Sequence, residues 1–246
     1  MKYNRRLFLK LATPFLLSIF TFKNLSAKIR SGRKNHFFLD ESNLFSNDDI
    51  FVLGLLHSTN IKKSASTIRY LRSINNYRTE LTYRSTDKYK VQFSKDLIDY
   101  FFYEQTLKFS ARVITGKIYS GREDYYSKKE SSYHLHYKQI IIDSFVQNNS
   151  VIHLENRSLY KTNNKLKQFL NKRYNVPFKN IQHPKSDLSQ LSDLLTGCII
   201  GDTHSLTNSS KIEILEYLKN KLEIKHFSEL YNLESNGKFE IVQTQI

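Results

Sequence analysis

The sequence predicts a mixed α/β domain, a sheet flanked by helices. Short apolar runs such as Phe37-Phe38-Leu39 and Phe51-Val52-Leu53 alternate with longer stretches of helical period. Three prolines and seven glycines in 246 residues leave few interruptions in those runs. Hydrophobic residues reach 39 %, with 17 Phe and 16 Tyr, enough for a single core and too many for a disordered chain.

In chain order, His36–Asp40 and Ile50–His57 are strand candidates. The polar stretch Ser46-Asn47-Asp48-Asp49 joins them, so an antiparallel hairpin is expected. Ile61–Ile74 has helical spacing in Ala65, Ile68 and Leu71, and Glu80–Tyr83 reads as a short strand. Ser94–Leu107 reads as a helix with Leu97, Ile98, Phe101 and Phe102 on one face and Ser94 as its cap. Ala111–Thr115 and Val151–Glu155 read as buried strands around a helix within Tyr133–Phe145. Lys165–Tyr174, Leu188–Ile200 and Ser210–Leu222 read as helices. The tail from Phe227 onward is ambiguous, with one edge-strand candidate at Phe239–Val242. The expected division is a leader over 1–27, a domain over 36–222 and a tail over 223–246.

The leader is set apart by charge. Asn4-Arg5-Arg6-Leu7-Phe8-Leu9-Lys10 resembles the twin-arginine export motif, with Asn4 in the place of Ser or Thr. The uncharged run Leu11–Phe22 follows, then Lys23 and a cleavage point after Ser26-Ala27. Twelve residues span about 18 Å as a helix, short of the ~30 Å hydrocarbon core. The expectation is an exported, periplasmic or secreted protein that meets the membrane only transiently, and a cytoplasmic one should the leader not function. Removing the leader lowers the formal charge from +15 to +10, so the remainder stays basic and suited to polyanionic partners, either nucleic acid or an anionic membrane surface, between which charge alone does not choose.

Several chemistries are excluded or weakened. The single cysteine, Cys198, forbids an intramolecular disulfide and any zinc site needing two thiolates of this chain. It lies in an apolar helical stretch and reads as an inert buried thiol. No phosphate-binding Gly-rich loop, Gly-x-Ser-x-Gly elbow or His-Glu-x-x-His motif is present, so no nucleotide cofactor is expected. His134 and His136 could share one strand face, though such a pair is more often ordinary packing than a metal site.

The residues that could carry chemistry are acids at element ends. Asp40 closes an apolar strand that would aim it with a stiff backbone, although Asp40-Glu41-Ser42 is also good turn chemistry. Asp187 and Gln190 resemble a helix-capping pair, and Asp193 follows in a leucine-rich helix, where an acid is costly unless it meets a cation or escapes to solvent. Gly197, one turn on, would let that helix approach another backbone closely.

Phe37–Ser42 resembles the Asp-Glu-Ser-Gly opening of the domain-of-unknown-function 3800 family. Gln190-Leu191-Ser192-Asp193-Leu194-Leu195-Thr196-Gly197 resembles that family's closing motif. Glu80-Leu81-Thr82 stands at its Glu-x-Lys signature, with Thr82 in the place of lysine, and Val151–Arg157 resembles its late strand. Asn43 replaces the motif's glycine, and Thr115 ends a strand where an acid is usual. The resemblance, over about 37–202, implies a ribonuclease-H-like fold with Asp40 as first-strand acid, Asp193 as helix acid, and Glu80 and Glu155 as the remaining two.

Two carboxylates 4 Å apart repel by about 4 kcal/mol at an effective dielectric of roughly 20, so such a gathering calls for a cation or raised pKa values. All-oxygen ligands suit Mg²⁺ or Mn²⁺. The expected function is therefore a metal-dependent phosphodiesterase, a nuclease, with Asp40, Glu80, Glu155 and Asp193 as catalytic and metal-binding residues. Glycosidase-type use of the acids is weaker, because no aromatic sugar platform is evident. Arg157, Lys161, Lys165, Lys167, Lys172 and Arg173, with Tyr160, Phe169 and Tyr174 among them, are the expected nucleic-acid-binding surface. The rival reading is a catalytically inactive ribonuclease-H-like module that binds nucleic acid or a protein partner through that basic face.

Overall fold

The computed structural model describes residues 34–42, 50–115, 135–143, 150–155, 178–181, 186–233 and 237–245, with 168, 171 and 172. The leader 1–27 and the basic residues Arg157, Lys161, Lys165, Lys167 and Arg173 lie outside them, as do His134, Tyr160, Phe169 and Tyr174.

Six strands form one mixed sheet: β1 (Asn35–Ser42), β2 (Ile50–Ser58), β3 (Leu107–Thr115), β4 (Ser150–Glu155), β5 (Phe178–Ile181) and β6 (Phe239–Gln245). Their order is β5-β4-β1-β2-β3-β6. β1 and β2 pair antiparallel, as the hairpin expectation required, and β2 pairs antiparallel with β3. β4 runs parallel to β1, β5 to β4, and β6 to β3. The helices are α1 (Ile61–Ile74), α2 (Val91–Tyr103), α3 (135–143), α4 (Asp187–Asp202) and α5 (Ser209–Leu222), with a 3₁₀ turn at Phe227–Leu230. This is the mixed sheet flanked by helices that the sequence predicts.

The near-continuous apolar runs of β1 and β2 arise because both faces of the sheet are covered. Phe37, Leu39, Leu53 and Leu55 pack with Tyr137, Ile140 and Ile141 of α3 on one face. Phe38, Val52 and Leu56 pack with α2, α4 and α5 on the other. α4 is buried almost all round, from Leu188 to Gly201 except Asp193, which matches its lack of a polar stripe. Its close seat on the sheet needs glycine at Gly54 of β2. A Cβ there would come 1.9 Å from Thr196 Oγ1 and 3.1 Å from the Phe109 ring.

Four local expectations are corrected. Glu80–Tyr83 is not a strand, because its backbone groups are taken by side chains and not by a ladder: Tyr77 Oη donates to the Glu80 carbonyl, and α4 side chains accept from Leu81 and Tyr83. α2 begins one turn before Ser94, whose hydroxyl donates to the Lys90 carbonyl inside the helix. It stops at Tyr103, where the Glu104 carboxylate accepts from the Thr106 amide and hydroxyl and turns the chain into β3. Residues 135–143 are helical, so His136 is a helix residue and not one of a pair on a strand; it is buried edge-on to Phe51. α4 is capped by Ser186, which accepts from the Ser189 amide, leaving Asp187 and Gln190 for other bonds.

His57 sits near the far end of β2, stacked on Phe37, with Nε2 donating to Asn35 Oδ1 at 3.0 Å. Burial, then the charges of Lys108 and His36, push its pKa down from 6.5 to about 4. It is therefore neutral in the folded chain, whereas the unfolded chain takes up that proton near pH 6.5. Its contribution to stability is complete above about pH 6.5 and is lost as the pH falls toward 4. His57→Gln, which keeps an amide donor and cannot titrate, is expected to flatten the fall in urea midpoint between pH 7 and 4.5. An unchanged slope in that variant would refute the assignment.

Candidate functional site

The site is built where α4 crosses β1. The Ser192 hydroxyl donates to the Phe38 carbonyl at 3.1 Å, and the Thr196 hydroxyl, one helical turn on, lies over Gly54. Gly54 is the cross-strand partner of Asp40. Asp40 shares the face of Phe38, two residues back, and so lies on the α4 side of the sheet, 4 % exposed. Glu41 points to the opposite face, where the Tyr137 hydroxyl donates to it. Sequence adjacency thus separates Asp40 and Glu41 by the thickness of the sheet.

Asp193 follows Ser192 on α4 and is half-buried. Its Oδ2 accepts from the Tyr83 amide at 2.7 Å. Gly197, on the same helical face, lets the Tyr83 side chain lie against the helix backbone; a Cβ there would sit 2.4 Å from Tyr83 Cβ. Burial drives the Tyr83 phenol pKa upward, and burial followed by the Asp193 charge does the same to the Cys198 thiol, which keeps Cys198 protonated and inert.

Glu80 lies in the loop that α4 binds. Gln190 Oε1 accepts from the Leu81 amide at 2.8 Å and also from Arg72 Nη2. Arg72 reaches in from α1: Nε donates to Asp187 Oδ1 at 2.8 Å, and Nη1 to the Thr79 carbonyl at 2.8 Å. Its guanidinium lies over the rings of Tyr77 and Phe93. One planar fork thereby ties α1, α4 and the Glu80 loop together, a geometry a lysine could not reproduce. Glu155 ends β4, one ladder step beyond the parallel pair Leu39↔Leu154, so its backbone position lies beside that of Asp40.

The four acids named from the sequence therefore fall around the N-terminal half of α4 and the C-terminal ends of β1 and β4. Among the described residues, no group of three or more His, Cys, Asp and Glu side chains comes together to hold a metal ion. Lys172 is exposed, and it alone represents the expected basic surface within the described residues. Arg72, Gln190 and Ser192 were missed as site residues. The spacing of Ser192 and Thr196 in an apolar helix was the available signal for the close crossing. Nothing local marks Arg72.

Compared with known proteins, the chain matches no family profile and no curated protein. Solved structures do match. One is a chain of the PCNA:RNase HII complex from Archaeoglobus fulgidus, at 8 % identity and a TM-score of 0.42, over 82 % of this chain and 81 % of that one. No described helix is long and apolar enough to cross a membrane.

Two substitutions at Asp193 separate its charge from its hydrogen bond. Asp193→Asn keeps an oxygen for the Tyr83 amide, and Asp193→Ala removes it. Amide exchange at Tyr83 is expected to stay slow in the first variant. In the second it rises as the loop loses about 1–3 kcal/mol of local stability. Equal protection in both variants would mean that the carboxylate does not hold the loop.

Proposed function

We propose that the chain is a divalent-metal-dependent phosphodiesterase of ribonuclease-H-like type, related to the domain-of-unknown-function 3800 proteins and acting on nucleic acid. The observation that carries the reading is a carboxylate, Asp40, buried at 4 % exposure on the sheet face that α4 covers. Keeping such a group charged is costly unless a cation or donors compensate it. The donor chemistry fits Mg²⁺ or Mn²⁺, which take hard oxygen ligands and need only one or two protein carboxylates beside water and substrate oxygens. Asp40 would be the primary ligand, with Asp193, Glu155 and Glu80 as further ligands. Bound there, the metal would supply Lewis acidity and a polarised water to a phosphodiester.

The chain's own residues do the positioning. β1 fixes Asp40 on a stiff ladder, and the Ser192–Phe38 bond holds α4 over it and excludes water from that side. Arg72 and Gln190 fix the loop carrying Glu80. The basic run from Arg157 to Arg173 would attract the polyanion in a salt-sensitive, sequence-blind manner.

A second reading is favoured by one contact. Asp193 already holds the Tyr83 amide, which is a structural use of the acid expected on the helix. The chain would then be an inactive module that binds nucleic acid or a protein partner without cutting it.

Cleavage assays on single- and double-stranded DNA and RNA with Mg²⁺, Mn²⁺ or chelator separate the two. Metal-dependent cleavage should fall by about 100-fold or more in Asp40→Asn and in Asp193→Asn, the latter of which keeps an oxygen for the Tyr83 amide. Binding without cleavage on every substrate selects the inactive module.

We also propose export by the twin-arginine route, on the strength of Arg5-Arg6 and the short uncharged run behind them. Replacing Arg5 and Arg6 by lysine is expected to hold the protein in the cytoplasm. Unchanged export of that variant would discard the route.

A further inference from the structure

The surface beside the Glu80 loop carries a charge pattern that the basic run of residues 157–173 does not account for. From Arg69 to Lys90 the chain has six cations, Arg69, Arg72, Arg78, Arg84, Lys88 and Lys90, against the acids Glu80 and Asp87. Two adjoining cavities of about 610 and 300 Å³ open there, sharing Asn76, Tyr77 and Arg78 in their walls. The smaller is edged by Arg69 and Arg72, the larger by Tyr89, Lys90 and one acid, Asp87, which accepts from the Tyr89 amide and lies 4.0 Å from Lys90.

The cations divide by commitment. Arg72 is spent on Asp187, Gln190 and Thr79, and Lys90 on Ser85, with Asp87 4.0 Å away. Arg69 and Arg78 are exposed and make no ion pair among the described residues; Arg69 has only a bond from Nε to the Ala65 carbonyl. The end of α1 lies against the same groove, and helix C-termini repel anions. Here its last carbonyls are taken: Leu71 by the Asn75 amide, Arg72 by Tyr77 and Ser73 by Asn76. The repulsion is blunted where two uncommitted guanidinium groups stand.

An exposed aromatic completes the surface. Tyr89 is 78 % exposed at the groove's edge, and Lys88 Nζ lies 5.0 Å from its ring centroid. Exposure alone does not set Tyr89 apart, since Tyr103 is 82 % exposed; its place beside a cationic groove does, because that arrangement suits single-stranded nucleic acid, bases stacked and phosphates paired.

We propose that the groove between the end of α1 and residues 76–90 binds single-stranded nucleic acid, with Arg69 and Arg78 pairing with phosphates and Tyr89 stacking on a base. The identity of the polyanion rests on the phosphodiesterase reading, because the groove ends at the loop carrying Glu80. A duplex is disfavoured because its stacked bases would not offer a face to Tyr89.

The test is fluorescence anisotropy of the full-length chain with a labelled single-stranded 20-mer in EDTA, over a range of salt. Arg69→Ala/Arg78→Ala should weaken binding about 10-fold or more and lower the slope of log Kd against log salt by about 1.4, two contacts' worth for a single strand. Tyr89→Ala should weaken the oligonucleotide about 10-fold and leave inorganic polyphosphate, which has no bases, unchanged. The control pair Lys34→Ala/Lys225→Ala removes the same charge from exposed sites elsewhere. Equal loss in both pairs, no loss in either, or tighter binding to duplex than to single strand would overturn the proposal. Because chelator is present, the result is independent of cleavage. Loss of binding in the groove pair with no cleavage by the parent protein keeps the groove and rejects the phosphodiesterase; the reverse pattern does the opposite.

Discussion

Everything in this structure depends on the distance at which α4 is laid on β1 and β2. The helix comes close enough for Ser192 to bond a strand carbonyl and for Thr196 to occupy the space a side chain at residue 54 would need. That closeness is possible because small residues face each other at the crossing. It buries a carboxylate on the sheet's inner face, and it draws the chain between α1 and α2 onto the helix. A wider crossing, with larger residues in those places, would let water into the same space and expose the Asp40 carboxylate.

The second organising element is Arg72. Its guanidinium serves an acid, an amide oxygen and a backbone carbonyl while lying over two aromatic rings. In consequence the loop has no need of a strand partner. Its amides are satisfied by Gln190 and Asp193, two side chains of the helix that Arg72 also grips. The loop and α4 are thus parts of one hydrogen-bonded unit, in which losing one member leaves buried donors and acceptors without compensation.

Much of the architecture was legible in the sequence because it follows from period. The β1–β2 hairpin and the helices over Ile61–Ile74 and Asp187–Asp202 announce themselves through apolar spacing, whereas the tail reads as ambiguous and its edge-strand candidate at Phe239–Val242 is settled by pairing with β3. What failed to announce itself is set by side chains distant in sequence. Glu80–Tyr83 has the composition of a strand, and partners 109 and 110 residues away turn it into a loop. Ser94 looks like a cap and instead bonds back into its own helix. Asp187 looks like a capping acid and instead answers an arginine 115 residues earlier. Among the acids, the burial of Asp40 could be anticipated from the apolar run before it. The opposite facing of Asp40 and Glu41 follows from the strand's alternation.

The centre of the sheet has a consequence for how the chain reaches this state. β1 is completed by β4, in register with residues 115 positions later, and by a hydrogen bond from a helix residue 154 positions later. β3, meanwhile, waits for a strand at the C-terminus. The innermost element is therefore among the first made and among the last to be satisfied. High contact order of this kind places the entropy of closing long loops ahead of the reward for closing them. The sheet is therefore complete only when segments from β1 to β6 are present together, because β3 takes its outer partner from β6.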